Sequence, residues 1–228
     1  MSGAEGANRT ILVVGFNPFA GRKANAAGDI ADAFDGQEFN DVEIRSVLLP
    51  VEWGKPEAVI KRAIEEIQEE GQQLVAILGL GECRGRRIRV EEKAHNQRAE
   101  GRADEANNKP GAGVGTEIII GGPLKYSSPL ARDVGRALQD AGVEFEKSED
   151  AGRFLCEEAF YAGVHLTSRR AKVAGPVGFV HVPPYPVRDQ DKSNYDNKEY
   201  LRRTKKSVQK ILERLSKKTS RDAGRACA

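Results

Sequence analysis

A cysteine, a histidine and a carboxylate can together make an acyl-transfer site. Cys156 lies in "EDAGRFLCEEAFYAGVHL" (Glu149–Leu166), after a glycine-containing approach and close to the start of a helical stretch. The plainer role for a free cysteine is to pack in a core as a small hydrophobe. The chemical role needs a lowered thiol pKa, because the thiolate is the nucleophile. A first helical turn favours it, since unpaired N–H groups and the helix dipole attract negative charge. The same N–H groups can receive an oxyanion. For a base the chain has three histidines. His165 falls late in the cysteine's own helix and faces away from its start, which reads as structural or exposed. His95 sits in a polar stretch. His181 ends the apolar run "VGFVHVPP", where ligands bind in an open parallel sheet. A carboxylate would orient the imidazole and stabilise its cation. Glu82, Glu91, Glu92 and Glu100 all crowd the same polar stretch, and composition does not choose between them.

Binding residues come from "GFNPFAG" (Gly15–Gly21), which also follows an apolar run. Phe16 and Phe19, three apart around a proline, either close the core or clamp a small flat ring. Burying such a ring contributes about 1.5–3 kcal/mol. "GLGECRGRR" lacks both the Lys-Ser/Thr of a phosphate loop and the dinucleotide spacing.

These residues need a scaffold. "TILVVGF", "VEIRSVLLP" and "QLVAILGL" read as buried strands. Helices are expected around Ala27–Phe34 and over Lys55–Glu70, where Ala58, Val59, Ala63, Ile64 and Ile67 recur at helical spacing. Strand and helix alternating over the first 80 residues predict a parallel sheet covered on both faces. A polar excursion over residues 81–116 holds "RIRVE", a candidate strand; a polar segment of that length is more often functional than idle. Then follow the brief apolar "TEIIIGG", a helix near Leu130–Ala141, a strand near Val143–Glu146, the Cys156 helix and the strand "VGFVHVP". From Asn197 to Ser216 a helix places Tyr200, Thr204, Val208, Ile211, Leu212 and Leu215 on one face, with fraying expected beyond Lys218. Its basic face reads as solvated rather than as a nucleic-acid surface.

The 228 residues are read as one domain, 1–228. Net charge is +2, so nothing demands nucleic acid or an anionic membrane. No apolar run nears the roughly 20 residues of a membrane span. "MSGAEGANRT" does not resemble a secretory signal. Cys83, Cys156 and Cys227 form no disulfide framework and no zinc pattern, and a cytoplasmic location is expected.

Four motifs, in order, resemble those of the pyroglutamyl peptidase I (pyrrolidone-carboxylate peptidase) family. They are "GFNPFAG", "GRRIRVEEKAHN", "AGRFLCEEAFY" and "GFVHVPPYP", and the resemblance covers roughly residues 10–187. It implies a three-layer α/β/α sandwich around a mixed, mostly parallel sheet, of the phosphorylase/hydrolase-like kind. It also implies a Cys-His-Glu triad of Cys156, His181 and, by the register of Ala94 and Asn96, Glu91 rather than Glu92. Phe16 and Phe19 would hold the lactam ring, with Phe154 and Leu155 nearby. The Cys156 N–H, helped by Arg102 of "RADE", would receive the oxyanion. The sequence departs from the family at Glu157, where the family has Asn, and in a glutamine after the third strand that would fall at Leu80 or Gly81.

The implied function is hydrolysis of N-terminal pyroglutamyl residues from peptides with a blocked N-terminus, with no metal or organic cofactor. The family suggests a homo-oligomer, dimer or tetramer. Competing readings are a cysteine amidohydrolase for another cap, an inactive homologue that binds peptide or nucleic acid, and a nucleoside-phosphorylase-like enzyme on a similar sandwich.

Overall fold

The computed structural model describes residues 9–111, 115–169, 175–185 and 195–226, with side chains of the last segment described from Glu199 to Lys218. The N-terminal stretch read as lacking a signal, Pro186 of the last motif and Cys227 lie outside the described residues.

Strand β1 (Arg9–Phe16) is buried almost end to end, as its run of Ile, Leu and Val requires. Helix α1 (Ala26–Asp32) starts at Asn25, whose side chain accepts the Ala27 N–H at 3.0 Å. It stops short of the expected Phe34 because the Phe34 N–H bonds back to the Ala31 carbonyl and the chain turns at Gly36 (φ 69°). A two-residue strand not expected from the sequence, β2 (Glu38–Phe39), pairs with β3 (Val42–Leu49). Helix α2 (Pro56–Glu69) begins on a proline, whose missing N–H would have no partner there, and leads to β4 (Gln73–Glu82).

The polar excursion holds β5 (Ile88–Glu91) and β6 (Lys93–His95), the latter paired with β7 (Lys125–Ser127) in a separate ribbon. Helix α3 (Ala131–Asp140) ends with Gly142 in the left-handed region (φ 68°) and the Val143 N–H donating to the Leu138 carbonyl at 2.9 Å. This closing motif takes Val143 out of the following strand, so β8 covers Phe145–Ser148 rather than starting at Val143. Helix α4 (Leu155–Arg169), β9 (Val177–Val182) and α5 (Tyr195–Ala226) complete the chain. Helix α5 extends to Ala226; no proline interrupts it and its one glycine is Gly224.

The main sheet has the order β2-β3-β1-β4-β9-β5-β8. Pairs β3/β1, β1/β4, β4/β9 and β5/β8 are parallel, whereas β2/β3 and β9/β5 are antiparallel. Helices α1, α3 and α5 bury Ile30, Leu138, Ile211 and Leu212 against one face, which includes Leu80, Val180 and Val182. Helices α2 and α4 bury Ile60, Ile64, Phe160 and Tyr161 against the other, which includes Ile77 and Phe179. The expected α/β/α sandwich with a mixed, mostly parallel sheet is the observed architecture. Val208, Ile211, Leu212 and Leu215 of α5 are all buried, as the helical spacing required.

Candidate active site

The site forms where the carboxyl ends of β1, β4 and β9 meet the start of α4. Gly152 (φ 93°) and Arg153 (φ 53°) are successive left-handed residues that turn the chain into α4, so Cys156 is the helix's second residue. Among the described residues, the N–H groups of Cys156 and Glu157 have no backbone acceptor outside the helix, as expected in a first turn.

Gly81 lies beneath the sulfur. A Cβ built on it would come within 2.8 Å of Cys156 Sγ and 3.0 Å of His181 Cδ2. Sulfur and imidazole therefore share one small space, made available by the missing side chain. His181 Nδ1 is 2.7 Å from Glu91 Oε1, and both residues are buried. The antiparallel pairing of β5 with β9 sets this up. Glu91 is opposite Phe179, so its carboxylate is diagonal to His181 on the same sheet face. Glu92 faces the other way and pairs with Lys147 at 3.0 Å.

A cavity of about 1050 Å³ opens over these groups. Phe16, Phe19, Arg102, Phe154, Leu155, Cys156 and His181 all line it, while Glu91 lies behind His181. The Arg102 guanidinium stacks 3.7 Å from the centre of the Phe154 ring, which meets Trp53 edge-on. The Trp53 indole N–H in turn donates to the Arg102 carbonyl at 2.9 Å.

The pyroglutamyl peptidase family model matches residues 9–214.

This chain belongs to the pyroglutamyl peptidase family.

The family is one of cysteine peptidases. Pyrrolidone-carboxylate peptidase of Bacillus mycoides (strain KBAB4) is 32% identical over 190 residues, 82% of each chain. That of Bacillus cereus (strain Q1) is 33% identical over the same length. Among solved structures, a mutant pyrrolidone carboxyl peptidase from the hyperthermophile Pyrococcus furiosus superposes with a TM-score of 0.76 at 25% identity, covering 92% of this chain and 99% of the other. Pyroglutamyl peptidase I from Bacillus amyloliquefaciens gives the same score and identity over 91% and 95%.

One expectation fails, and the two departures from the family pattern can be placed. The helix start does not ionise Cys156 unaided: burial pushes its thiol up to about 12, Cys83 and Glu91 oppose ionisation further, and Arg102 favours it. Neither Leu80 nor Gly81 takes the role of the family's ring-pocket glutamine. Leu80 is buried on the far face of the sheet and Gly81 makes room for the sulfur. The polar side chain lining the cavity there is Glu82, held by Arg22 at 2.6 Å and by the Ala26 N–H. Glu157 turns away from the sulfur, accepts the His95 N–H at 2.6 Å and lies 3.6 Å from Arg153 Nε.

His95 stands beside Glu157, 3.7 Å away, against a second and smaller cavity. His165 is buried, with its Nδ1 2.9 Å from the Tyr126 hydroxyl. Neither joins Cys156. The sequence reading passed over Arg89, directly opposite His181 and 3.8 Å from Glu91. Its signal was the alternation in "RIRVE", which puts Arg89 on the face of Glu91. Among the described residues no group of three His, Cys, Asp or Glu is placed to hold a metal ion, and no helix is long and apolar enough to cross a membrane.

Proposed function

We propose that this protein removes N-terminal pyroglutamyl residues from peptides, with Cys156 as nucleophile, His181 as base and acid, and Glu91 as orienter. The observation that carries the reading is the meeting of Cys156 Sγ and the His181 ring over Gly81, with Glu91 on the far nitrogen. His181 takes the thiol proton as sulfur attacks the pyroglutamyl carbonyl. The oxyanion is received by the Cys156 N–H and Arg102. The imidazolium then protonates the leaving amine, and water, activated by the same imidazole, cleaves the thioester and restores the thiol.

Phe16 and Phe19 clamp the lactam, with Phe154 and Leu155 on the opposite wall. A lactam nitrogen carries no charge, whereas a free N-terminus does. Of the carboxylates lining the cavity, Glu82 is already paired with Arg22. Held between the two rings, a charged α-ammonium loses its water for apolar surface, which selects against ordinary N-termini.

A cytoplasmic location fits the free thiols of Cys83 and Cys156. A homo-oligomer fits the strongly exposed Ile120 and Leu124, and light scattering of the full chain reads it directly.

Release of a chromophore from a pyroglutamyl amide tests the activity. The wild type should cleave it and leave the alanyl amide untouched, and Cys156→Ala should lose at least about 1,000-fold in kcat/KM. Cleavage by Cys156→Ala at the wild-type rate, or none by the wild type, overturns the proposal.

A further inference from the structure

The cavity holds a second thiol that the peptidase chemistry does not use. Cys83 follows β4, and its N–H donates to the Val182 carbonyl at 3.1 Å, so the β4–β9 pairing continues through it. Gly81 and Cys83 are alternate residues and emerge on one face of the strand. Cys156 Sγ occupies the space of the absent Gly81 side chain. The next side chain along that face is Cys83, at a strand spacing of about 7 Å. Both cysteines line the same cavity and both are partly exposed. They also sense one another: after burial, Cys83 is the group that most opposes ionisation of Cys156.

Cys83 has a cation of its own. Burial raises its thiol, but the Arg89 guanidinium pulls the other way, by charge and by hydrogen bond. Arg89 is held there by the Ser148 hydroxyl at 2.8 Å. Cys83 also has room to move. It opens a turn in which Arg84, Gly85, Arg86 and Arg87 are all exposed and Gly85 takes φ 138°.

We propose that Cys83 is the resolving thiol for Cys156, so that hydrogen peroxide converts the pair into a reversible intramolecular disulfide that shuts the site and protects the nucleophile. The proposal rests on Cys156 and His181 acting as the thiol–base pair of the peptidase reading. His181 takes the Cys156 proton as sulfur attacks one peroxide oxygen. The O–O bond breaks, water leaves with that proton, and Cys156 becomes a sulfenic acid. The Cys83 thiolate, held by Arg89, attacks the sulfenic sulfur. The S–O bond breaks, hydroxide takes the proton released from Cys83 and leaves as a second water, and the S–S bond forms. The two sulfurs lose two electrons and the peroxide gains them. A dithiol reductant reverses the change.

The test uses the full chain with Cys227→Ser, which removes the third thiol. Hydrogen peroxide is added in small excess, free thiols are capped with N-ethylmaleimide, and intact mass, peptide map and residual activity are read. The parent should lose two hydrogens, yield one peptide linking Cys83 to Cys156, fall at least about 10-fold in activity and recover with dithiothreitol. With Cys83→Ser, and independently Cys83→Ala, each compared with its own untreated activity, the linked peptide should be absent. The recovered fraction should then drop below about half, as Cys156 proceeds to sulfinic acid. Absence of the linked peptide in the parent, or full recovery in both variants, overturns the proposal. The linkage is read by mass alone, so its absence in a chain that cleaves the amide refutes the resolving thiol and leaves the peptidase reading standing.

Discussion

Cys156 and His181 come together over an atom that is absent. A methyl group on Gly81 would sit 2.8 Å from the sulfur, 3.0 Å from the imidazole and 3.0 Å from the Phe179 ring, and none of these is the loose end of a flexible chain. Gly81 is an ordinary strand residue, so alanine fits the backbone, and the whole effect falls on the side chains above it. We expect Gly81→Ala to stay folded by circular dichroism yet lose on the order of 100-fold in kcat/KM, the scale of a misplacement of about 1 Å in a catalytic pair. Unchanged turnover would mean that the two groups do not work in contact. At this scale the sequence was informative about residues and poor about their surroundings. A helix start and a strand end made Cys156 and His181 candidates, and the family resemblance chose them. The choice of Glu91 over Glu92 needed the family register, because only pairing with β9 decides which face looks at His181. Arg89 and Cys83 stood in plain alternation with residues already noticed, but alternation acquires meaning only once the neighbouring strand is known.

The same dependence on neighbours governs the elements. Among its described residues, the segment from Asn96 to Gly122 has almost no regular structure, yet it places Arg102 at the cavity. It is fixed instead by buried polar groups. Asn96 receives the Ile119 N–H and donates to the Ile119 and Gly122 carbonyls, which satisfies three backbone groups of "TEIIIGG" without a partner strand. Arg98 bonds Glu158 of α4 at 2.8 Å and the carbonyls of Gly115, Glu117 and Ile118, while Glu158 also accepts the Gly54 N–H. Both charged side chains are buried. The sequence marks this stretch as polar and therefore functional. It does not show that one arginine binds three carbonyls, because those partners lie up to 20 residues away along the chain. Removing Arg98 alone strands a buried carboxylate, a loss of about 3–5 kcal/mol. Arg98→Leu should therefore lower the denaturant midpoint and, by loosening Arg102, raise KM more than it lowers kcat. The double variant with Glu158→Leu should recover the part of that loss owed to the stranded carboxylate and little of the KM. If the single variant is as stable as the wild type, the segment is anchored elsewhere.

At the scale of the molecule the alternation of strands and helices made the sandwich legible, and the antiparallel insertion of β5 beside β9 was not. A four-residue strand carries no mark of its direction, and that direction brings a carboxylate to the histidine. The architecture also makes the whole fold sensitive to pH through Glu157, the residue after Cys156. It is fully buried, and burial pushes its carboxyl up to about 7 from an ordinary 4.5. The His95 N–H and Arg153 pull it down, while Asp150 and Glu91 push it further up. A carboxyl raised on folding is favoured in its protonated form. The native state keeps that proton after the unfolded chain has lost it, so stability falls as pH rises from about 4.5 to about 7 and stays lower above. The size is on the order of 3 kcal/mol. Glu157→Gln keeps an oxygen for the His95 N–H and removes the ionisation. The variant should therefore melt higher than the wild type at pH 8, and most of that advantage should vanish at pH 5. His95 is present in both proteins and is held below its usual range by burial and then by Arg153, so it largely cancels from the difference. An advantage that does not change between the two pH values would show that Glu157 is ionised throughout, held by Arg153 despite its burial.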